Sequence, residues 1–285
     1  MIPLAVDHYE NFPVASVLLP ARLRAPVEAI YGFARGADDI ADEGDLSLAQ
    51  RLAGLDTYLR ALDEIDAGRT PRAGFERIAG AVREYALPVT LLRDLVDAFR
   101  QDVVKKRYAD FAELMDYSRR SANPVGRLLL HLFERTDAAS VSQSDDICSA
   151  LQLINFWQDV AIDWRMGRIY IPQEDLEKFR ISESDIANAT VHPLWGKLMA
   201  FECDRARGML AAGSPLGHAL AGRLGLEIRA TVAGGKAILD KIDAVQGDVF
   251  RQRPTLGKID WLKILGKAVS GTTFPEARPA PKSRT

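Results

Sequence analysis

Residues 152–163 read QLINFWQDVAID, a mostly apolar helical segment with five polar residues, four of which share a regular spacing. Gln152, Asn155, Asp159 and Asp163 follow one another at spacings of three, four and four. At 100° per residue they share one stripe about 80° wide, and the other side chains are hydrophobic almost all round. Such a helix is usually buried, and buried carboxylates need a compensating cation or ligand. The segment therefore predicts a buried helix whose polar stripe faces positive charge.

Helical periodicity extends over nearly the whole chain. Apolar residues recur at intervals of three and four, glycine and proline mark several helix ends, and alternating strand-like runs are scarce. The segments with this pattern are residues 27–43, 48–68, 75–87, 89–104, 111–122, 125–134, 144–167, 195–213, 217–245 and 258–269. We therefore predict an all-α fold.

Composition limits the class of protein and of partner. The 285 residues carry a net charge of −2, with 47% hydrophobic and 27% charged residues, which is typical of a globular chain with a large core. Basic and aromatic residues do not interleave, so no nucleic-acid partner is expected. Cys148, Cys203 and the four histidines lack the spacing of a disulfide framework or zinc site. The sequence shows neither a secretory signal nor an 18-residue apolar run, so we expect a cytoplasmic protein.

A second acidic stripe lies in residues 37–45, ADDIADEGD. Asp38 and Asp42 are four residues apart on one helical face, and Asp39 and Glu43 repeat that spacing. Like charges at this spacing oppose helix formation by about 0.2–0.5 kcal/mol per pair. Taken alone, the stretch is equally compatible with a solvated acidic helix end.

Two carboxylate stripes on separate helices together predict a magnesium site. Mg²⁺ binds few carboxylates, retains several waters and completes its octahedron with phosphate oxygens, so facing stripes would hold a diphosphate through Mg²⁺. The phosphate-binding motif G-x-x-x-x-G-K-[ST] is absent from the sequence. Arg35, Arg165 and Arg168 lie near the stripes, as does Tyr31, and arginine has the bidentate geometry that phosphate favours. Each arginine alone is also compatible with an ordinary surface position.

The motifs taken together resemble those of the squalene and phytoene synthase family. The matching segments, in order between about residue 9 and about residue 260, are NFPVASVLLP, AIYGFARGADDIADE, DAFRQDV, YSRRSANPVG, LQLINFWQDVAIDWRMGRIYIP and DVFRQRP. The resemblance implies an all-α isoprenoid-synthase fold around a central cavity, spanning residues 1–270. It also implies Mg²⁺ as cofactor and the head-to-head joining of two prenyl diphosphates through a cyclopropyl diphosphate. The Pro-rich residues 271–285 are expected to form a disordered tail.

The resemblance also assigns site residues. Asp38 and Asp42 would be catalytic metal ligands in the first motif, and Asn155, Asp159 and Asp163 would be ligands in the second. The residues expected to contact the substrate are Tyr31, Arg35, Gln152, Arg168 and Tyr170.

Several positions depart from the common family pattern. Gln158 stands where most members carry arginine, Arg119 and Gly235 stand where tyrosine is common, and SANPVG replaces VAGTVG. These features resemble the hydroxysqualene synthases of bacterial hopanoid pathways, which convert presqualene diphosphate into an alcohol with Mg²⁺ and water. We therefore expect hydroxysqualene formation, with Arg119 as a further catalytic residue that holds the departing diphosphate.

Other functions remain as alternatives. One is condensation of two farnesyl diphosphates to presqualene diphosphate or squalene, and another is a phytoene-type reaction. A third is a non-catalytic helical assembly factor, which would have little reason to retain both stripes. A very apolar substrate and product allow loose contact with a membrane surface, and transfer of product to another enzyme of the pathway stays open.

Overall fold

The computed structural model describes residues 19–251 and 253–271, and within them the chain forms thirteen helices and no β-strand. Their bounds are α1 Ala21–Asp42, α2 Leu48–Asp66, α3 Glu76–Tyr85, α4 Val89–Val104, α5 Phe111–Ser121, α6 Asn123–Leu132, α7 Ala138–Arg165, α8 Gln173–Lys178, α9 Glu183–Ala187, α10 Pro193–Gly213, α11 Leu216–Ala219, α12 Gly222–Ala244 and α13 Lys258–Ser270. The predicted all-α fold is confirmed. None of the described helices has the length and apolar character needed to cross a membrane. The NFPVASVLLP motif, except its last two residues, and the predicted tail beyond residue 271 lie outside the described residues.

Helix α7 contains the segment 152–163 and is the centre of the larger hydrophobic core. It packs most extensively against α10 and also contacts α5, α6 and α12. Leu153 and Trp157 are fully buried, as the apolar character of this helix predicts. The helix begins six residues before its predicted start, because the Asp137 carboxylate caps it by accepting the backbone N–H of Ser140 at 3.0 Å.

Helices α1 to α4 form a second hydrophobic core beside the first. Helix α1 begins at Ala21 and continues through Pro26, although the sequence predicts a start after this proline. Pro26 has no N–H to donate to the carbonyl of Arg22, and the Tyr85 hydroxyl donates to that carbonyl at 3.0 Å. Helix α1 ends at Asp42, so Asp38 and Asp42 lie on its last two turns.

The single helix predicted for residues 217–245 is wrong at its beginning. The chain turns between α11 and α12, and Gly222 adopts a left-handed φ of +66°. A Cβ at Gly225 would lie 2.0 Å from the carbonyl oxygen of Leu220, so this close approach requires glycine. The short helices α8 and α9 are also absent from the sequence prediction.

Candidate active site

A cavity of about 780 Å³ lies between α1, α4, α5, α6 and α7. Every predicted site residue except Arg119 lines it: Tyr31, Arg35, Asp38, Asp42, Gln152, Asn155, Asp159, Asp163, Arg168 and Tyr170. Its apolar wall comes mainly from α1, α4 and α6, and includes Val27, Ile30, Ala34, Phe99, Val125 and Leu129. The cavity therefore combines two facing acidic stripes with a surface suited to a hydrocarbon chain.

Arg168 binds Asp42 in the first acidic stripe through two hydrogen bonds. Its Nη1 donates to Asp42 Oδ2 at 2.8 Å, and its Nη2 donates to Oδ1. Nη2 also lies 3.2 Å from the backbone carbonyl oxygen of Asp102. Arg168 is buried, and paired donors fix a carboxylate in both position and orientation.

Asp38 lies one turn before Asp42 and is less well compensated. Burial and the like charge of Asp42 raise the pKa of Asp38 to about 7. Arg35 Nη1 lies 3.5 Å from Asp38 Oδ2, whereas Arg35 contacts both Asp39 and Glu43 at 2.7 Å. A further cation beside Asp38 would relieve the repulsion between the two carboxylates.

Arg51 of α2 holds the chain where α1 ends, a role that the sequence did not suggest. Its guanidinium donates to the carbonyl oxygens of Ile40 at 2.9 Å, Glu43 at 3.1 Å, Gly44 at 2.8 Å and Leu46 at 3.2 Å. Carbonyls at a helix C-terminus lack N–H partners within the helix. The arginine supplies donors there and fixes the loop that follows the first stripe.

Arg253 binds the second acidic stripe and was not identified from the sequence. Its Nε and Nη2 both donate to the Asp159 carboxylate, the latter at 3.0 Å, and Nη2 lies 3.4 Å from Asn155 Oδ1. The available signal was the segment DVFRQRP, which matched the family pattern without indicating which of its residues reaches the site. Asp42 in the first stripe and Asp159 in the second are therefore each bound by an arginine through two donor nitrogens.

Asp163 lies one turn after Asp159 at the end of the second stripe. Burial and the charge of Asp159 raise the pKa of Asp163 well above its usual range. Within the described parts of the chain, Arg168 acts on the Asp163 carboxylate through its charge, and no arginine side chain donates a hydrogen bond to that carboxylate. Asp38 and Asp163 are thus the carboxylates of the two stripes that are least neutralised by arginine.

A buried polar group of α4, Asp102, also lines the cavity and was missed from the sequence. Its carboxylate accepts hydrogen bonds from the hydroxyl of Tyr117 at 2.6 Å and from that of Tyr170 at 3.2 Å. Burial raises its pKa to about 6, although Arg168 and the tyrosine hydrogen bonds act in the opposite direction. The only sequence signal was the family-like segment DAFRQDV.

Aromatic rings form part of the wall next to the carboxylates. The rings of Phe156 and Tyr170 stack with centroids 3.7 Å apart and planes 8° apart, and Tyr117 lies beside Tyr170 at 5.9 Å. All three line the cavity, whereas Trp157 is fully buried in the core. Aromatic faces attract positive charge, so this wall can stabilise a carbocation.

Arg119 is not placed as the sequence analysis expected. It does not line the cavity, its side chain is half exposed, and its Nη2 donates to Asp116 Oδ1 at 2.8 Å. Residues two apart on a helix point about 200° from each other. Because Tyr117 faces the cavity, Arg119 points away from it, and we no longer assign Arg119 a part in holding the diphosphate.

The other residues that depart from the family pattern lie on α7, pack against it or form a hydrogen bond with it. Gln158 is buried outside the cavity and donates from Nε2 to the Pro254 carbonyl at 2.6 Å, which ties the chain next to Arg253 onto α7. A Cβ at Gly235 would lie only 3.0 to 3.2 Å from three side chains of α7 and α10. Asn123 of SANPVG accepts a hydrogen bond from Ser149 at 2.8 Å, which joins α6 to α7.

The chemistry of the donor set fits magnesium better than a transition metal. The facing stripes supply carboxylate and amide oxygens, and hard cations prefer oxygen ligands. Among the residues described by the structure, no three His, Cys, Asp or Glu side chains converge as a preformed metal cage. Mg²⁺ commonly binds through one or two carboxylates and completes its coordination with water and substrate phosphate.

Several known proteins are similar to this chain in both sequence and fold. The squalene/phytoene synthase family model matches residues 5–260. A hydroxysqualene synthase from Rhodopseudomonas palustris is 32% identical, with 96% of this chain and 95% of that protein aligned. A 15-cis-phytoene synthase from Synechococcus elongatus is 30% identical, with 92% and 89% aligned. The crystal structure of squalene synthase HpnC from Alicyclobacillus acidocaldarius has a TM-score of 0.78 at 36% identity, covering 84% of this chain and 90% of that one. This chain therefore belongs to the squalene/phytoene synthase family and is an isoprenoid synthase that acts on prenyl diphosphates.

Proposed function

We propose that this enzyme converts presqualene diphosphate and water into hydroxysqualene and diphosphate. The observation that carries the proposal is that two arginine-bound acidic stripes and an apolar and aromatic wall line one cavity. The 32% identical hydroxysqualene synthase, aligned over nearly the full length of both chains, supports this product.

The polar part of the cavity would hold the diphosphate. Arg168 and Arg253 each present a guanidinium at an acidic stripe, and arginine binds phosphate oxygens in bidentate fashion. Arg35 lines the same region, with its charge shared among three carboxylates of α1. These side chains would orient the diphosphate so that the bond between its oxygen and the carbon next to the cyclopropane ring can break, and the diphosphate leaves with the bonding electrons.

We further propose that Asp38, Asp42, Asn155, Asp159 and Asp163 hold Mg²⁺. The insufficient compensation of Asp38 and Asp163 supports this set, because a divalent cation there would lower the energy of both charged carboxylates. When bound, Mg²⁺ would neutralise the charge that develops on the departing diphosphate.

The hydrocarbon part would lie against the apolar wall. The volume of about 780 Å³ is in the upper part of the range of about 300–1,000 Å³ that is typical of small-molecule pockets. The stacked rings of Phe156 and Tyr170 would stabilise the rearranging cation and limit the access of water. One water would then add its oxygen to the cation and release a proton, which gives the alcohol.

Head-to-head condensation of two prenyl diphosphates is the second candidate. The 30% identical phytoene synthase, aligned over 92% of this chain, favours it. The two candidates differ in substrate: condensation starts from farnesyl or geranylgeranyl diphosphate, whereas the proposed reaction starts from presqualene diphosphate.

Product analysis separates the candidates. The purified protein is incubated with Mg²⁺ and no NADPH, using presqualene, farnesyl or geranylgeranyl diphosphate separately, and extracts are analysed by gas chromatography–mass spectrometry. We expect hydroxysqualene from presqualene diphosphate, no turnover of the other two substrates, and loss of activity with EDTA. Presqualene diphosphate made from farnesyl diphosphate, or phytoene made from geranylgeranyl diphosphate, would support condensation instead. Turnover of none of them would favour the assembly-factor alternative.

A further inference from the structure

Helix α13 exposes an apolar face that no described part of the chain covers. Its opposite face packs on α12 through Ile264 and Ala268, and Arg229 of α12 donates to the Ala268 carbonyl at 2.7 Å. The outward face carries four large apolar side chains with high exposed fractions: Ile259 69%, Leu262 72%, Leu265 48% and Val269 73%. Three of these four are more exposed than any other large apolar side chain that the structure describes.

The four side chains form one continuous stripe. At 100° per residue, residues 259, 262, 265 and 269 fall within an arc of about 120°. Gly266 lies within the same arc and adds no side chain to it. An arc of this width is typical of a helix that rests on an apolar surface.

The charges of α13 are arranged around this stripe. Lys263 and Lys267 lie along one edge, and Lys258 lies within the arc at the end of the stripe that begins the helix. The one acidic residue of α13, Asp260, is turned toward α12, where its Oδ2 lies 2.8 Å from Lys241 Nζ. Trp261 lies along the other edge and is half-buried. The exposed surface of α13 is therefore apolar, bordered by lysine, and without an acidic group.

We propose that α13 is a docking helix that rests on the surface of a bilayer containing anionic lipids. An amphipathic helix with lysine beside an apolar stripe lies in the plane of such an interface, with its apolar face buried and its lysines near the headgroups. A second copy of this chain fits less well, because an antiparallel twofold pair of α13 helices would bring the lysines of one against those of the other. The proposed occupant is therefore the lipid surface.

The position of α13 connects this surface to the active site. Arg253, bound to Asp159, is only five residues before the first residue of α13, and the Pro254 carbonyl is bound to Gln158 of α7. Docking through α13 would therefore hold the second acidic stripe close to the bilayer. This reason for docking rests on the proposed function, since presqualene diphosphate and hydroxysqualene are lipid-like, but the test below measures binding and not turnover.

Vesicle flotation of the full chain tests the proposal. One vesicle preparation is neutral phosphatidylcholine and the other contains 30% phosphatidylserine, whose anionic headgroups give the surface a negative potential. We expect the protein to float with the anionic vesicles, to do so more weakly with the neutral ones, and to lose binding at high salt. L262Q/V269Q should lower the partition constant by at least about tenfold, because both apolar side chains would no longer be buried in the interface. K263Q/K267Q should lower it by about thirtyfold on anionic vesicles only.

Control variants make the result specific. L194Q/V245Q changes a leucine and a valine that are exposed elsewhere, and it should bind as the unchanged protein does. All variants should keep the helical circular dichroism spectrum and the thermal unfolding midpoint of the unchanged protein, which shows that they fold. The proposal is overturned if the unchanged protein does not float, or if L262Q/V269Q floats as well as L194Q/V245Q. It is also overturned if light scattering shows a dimer that only L262Q/V269Q dissociates, because a second copy would then cover the stripe.

Discussion

Arg168 holds Asp42 in a bidentate ion pair across 126 residues of sequence. The pair joins the segment after α7 to the last turn of α1, and so it joins the two acidic stripes to each other. Asp102 extends the connection to α4, because its backbone carbonyl lies against the same guanidinium. The geometry of the cavity therefore depends on contacts that are remote in sequence.

R168K should impair catalysis strongly while leaving the protein folded. Lysine keeps the charge but cannot form the paired hydrogen bonds that orient Asp42. We expect kcat/KM to fall by about 10²–10³-fold, as is typical when one charge-stabilising group is lost. R165K is the matched control, because Arg165 is exposed three residues earlier, and it should keep normal activity. Equal effects of the two changes would contradict the assigned role of Arg168.

R253Q should lower stability as well as activity. It leaves the carboxylate of Asp159 buried without its cation, and breaking such a pair costs about 2–3 kcal/mol at a site that is not fully buried. Urea unfolding without Mg²⁺ measures this loss. Adding D159N to R253Q should restore most of it, because the unpaired charge is removed. R251Q, at a side chain that is 86% exposed, should change the free energy of unfolding by less than about 0.5 kcal/mol.

Glu202 predicts a pH dependence of stability away from the active site. Burial and the neighbouring Asp175 raise the pKa of Glu202 from 4.5 to about 8, although Arg205 opposes this. Between these two pH values the folded protein retains a proton that the unfolded chain releases, so stability should decrease as the pH rises from about 4.5 to about 8. E202Q should flatten this decrease in urea unfolding measured from pH 5 to pH 9. The exposed change E177Q should leave the slope as it is, and an unchanged slope in E202Q would show that the proton resides elsewhere.

Gly235 should tolerate a side chain poorly. A Cβ would lie 3.0 Å from Leu151, 3.1 Å from Leu210 and 3.2 Å from Ile154. The cost of overpacking, about 1–3 kcal/mol, should outweigh the gain of up to about 1 kcal/mol in helix propensity, so G235A should lower the free energy of unfolding by about 1 kcal/mol. G235Y should lower it by about 3 kcal/mol or prevent folding. G208A provides a control of opposite sign, since Gly208 is an exposed helical position with open space around it, and alanine favours helix there by up to about 1 kcal/mol.

Local patterns in the sequence predicted much of the fold and, together with the family resemblance, most of the polar residues that line the cavity. The bounds of α4, residues 89–104, are confirmed, and the polar stripe of α7 lines the cavity as its periodicity indicates. Contacts between distant segments were not predictable in this way. Arg253 is 94 residues from Asp159 in the sequence, and helical periodicity cannot predict a contact between residues so far apart. The expectation for Arg119 was wrong because it rested on an aligned position alone. Tyr117 faces the cavity, so a residue two positions later on the same helix points away from it.

The C-terminal end of α1 couples cation binding to the stability of the folded state. Four acids occupy the last turns of α1 and the residue after it, where the helix dipole is itself negative, so the dipole and the side chains repel one another. Arg51 offsets this repulsion by donating to the carbonyls of the same region. A cation that binds the first stripe should therefore stabilise the folded state by mass action, and Tm should rise with Mg²⁺ concentration. Without metal, D38N should have a higher Tm than the unchanged protein, and its Tm should rise less when Mg²⁺ is added. The carboxylates that favour metal binding at this helix end therefore lower the stability of the metal-free protein.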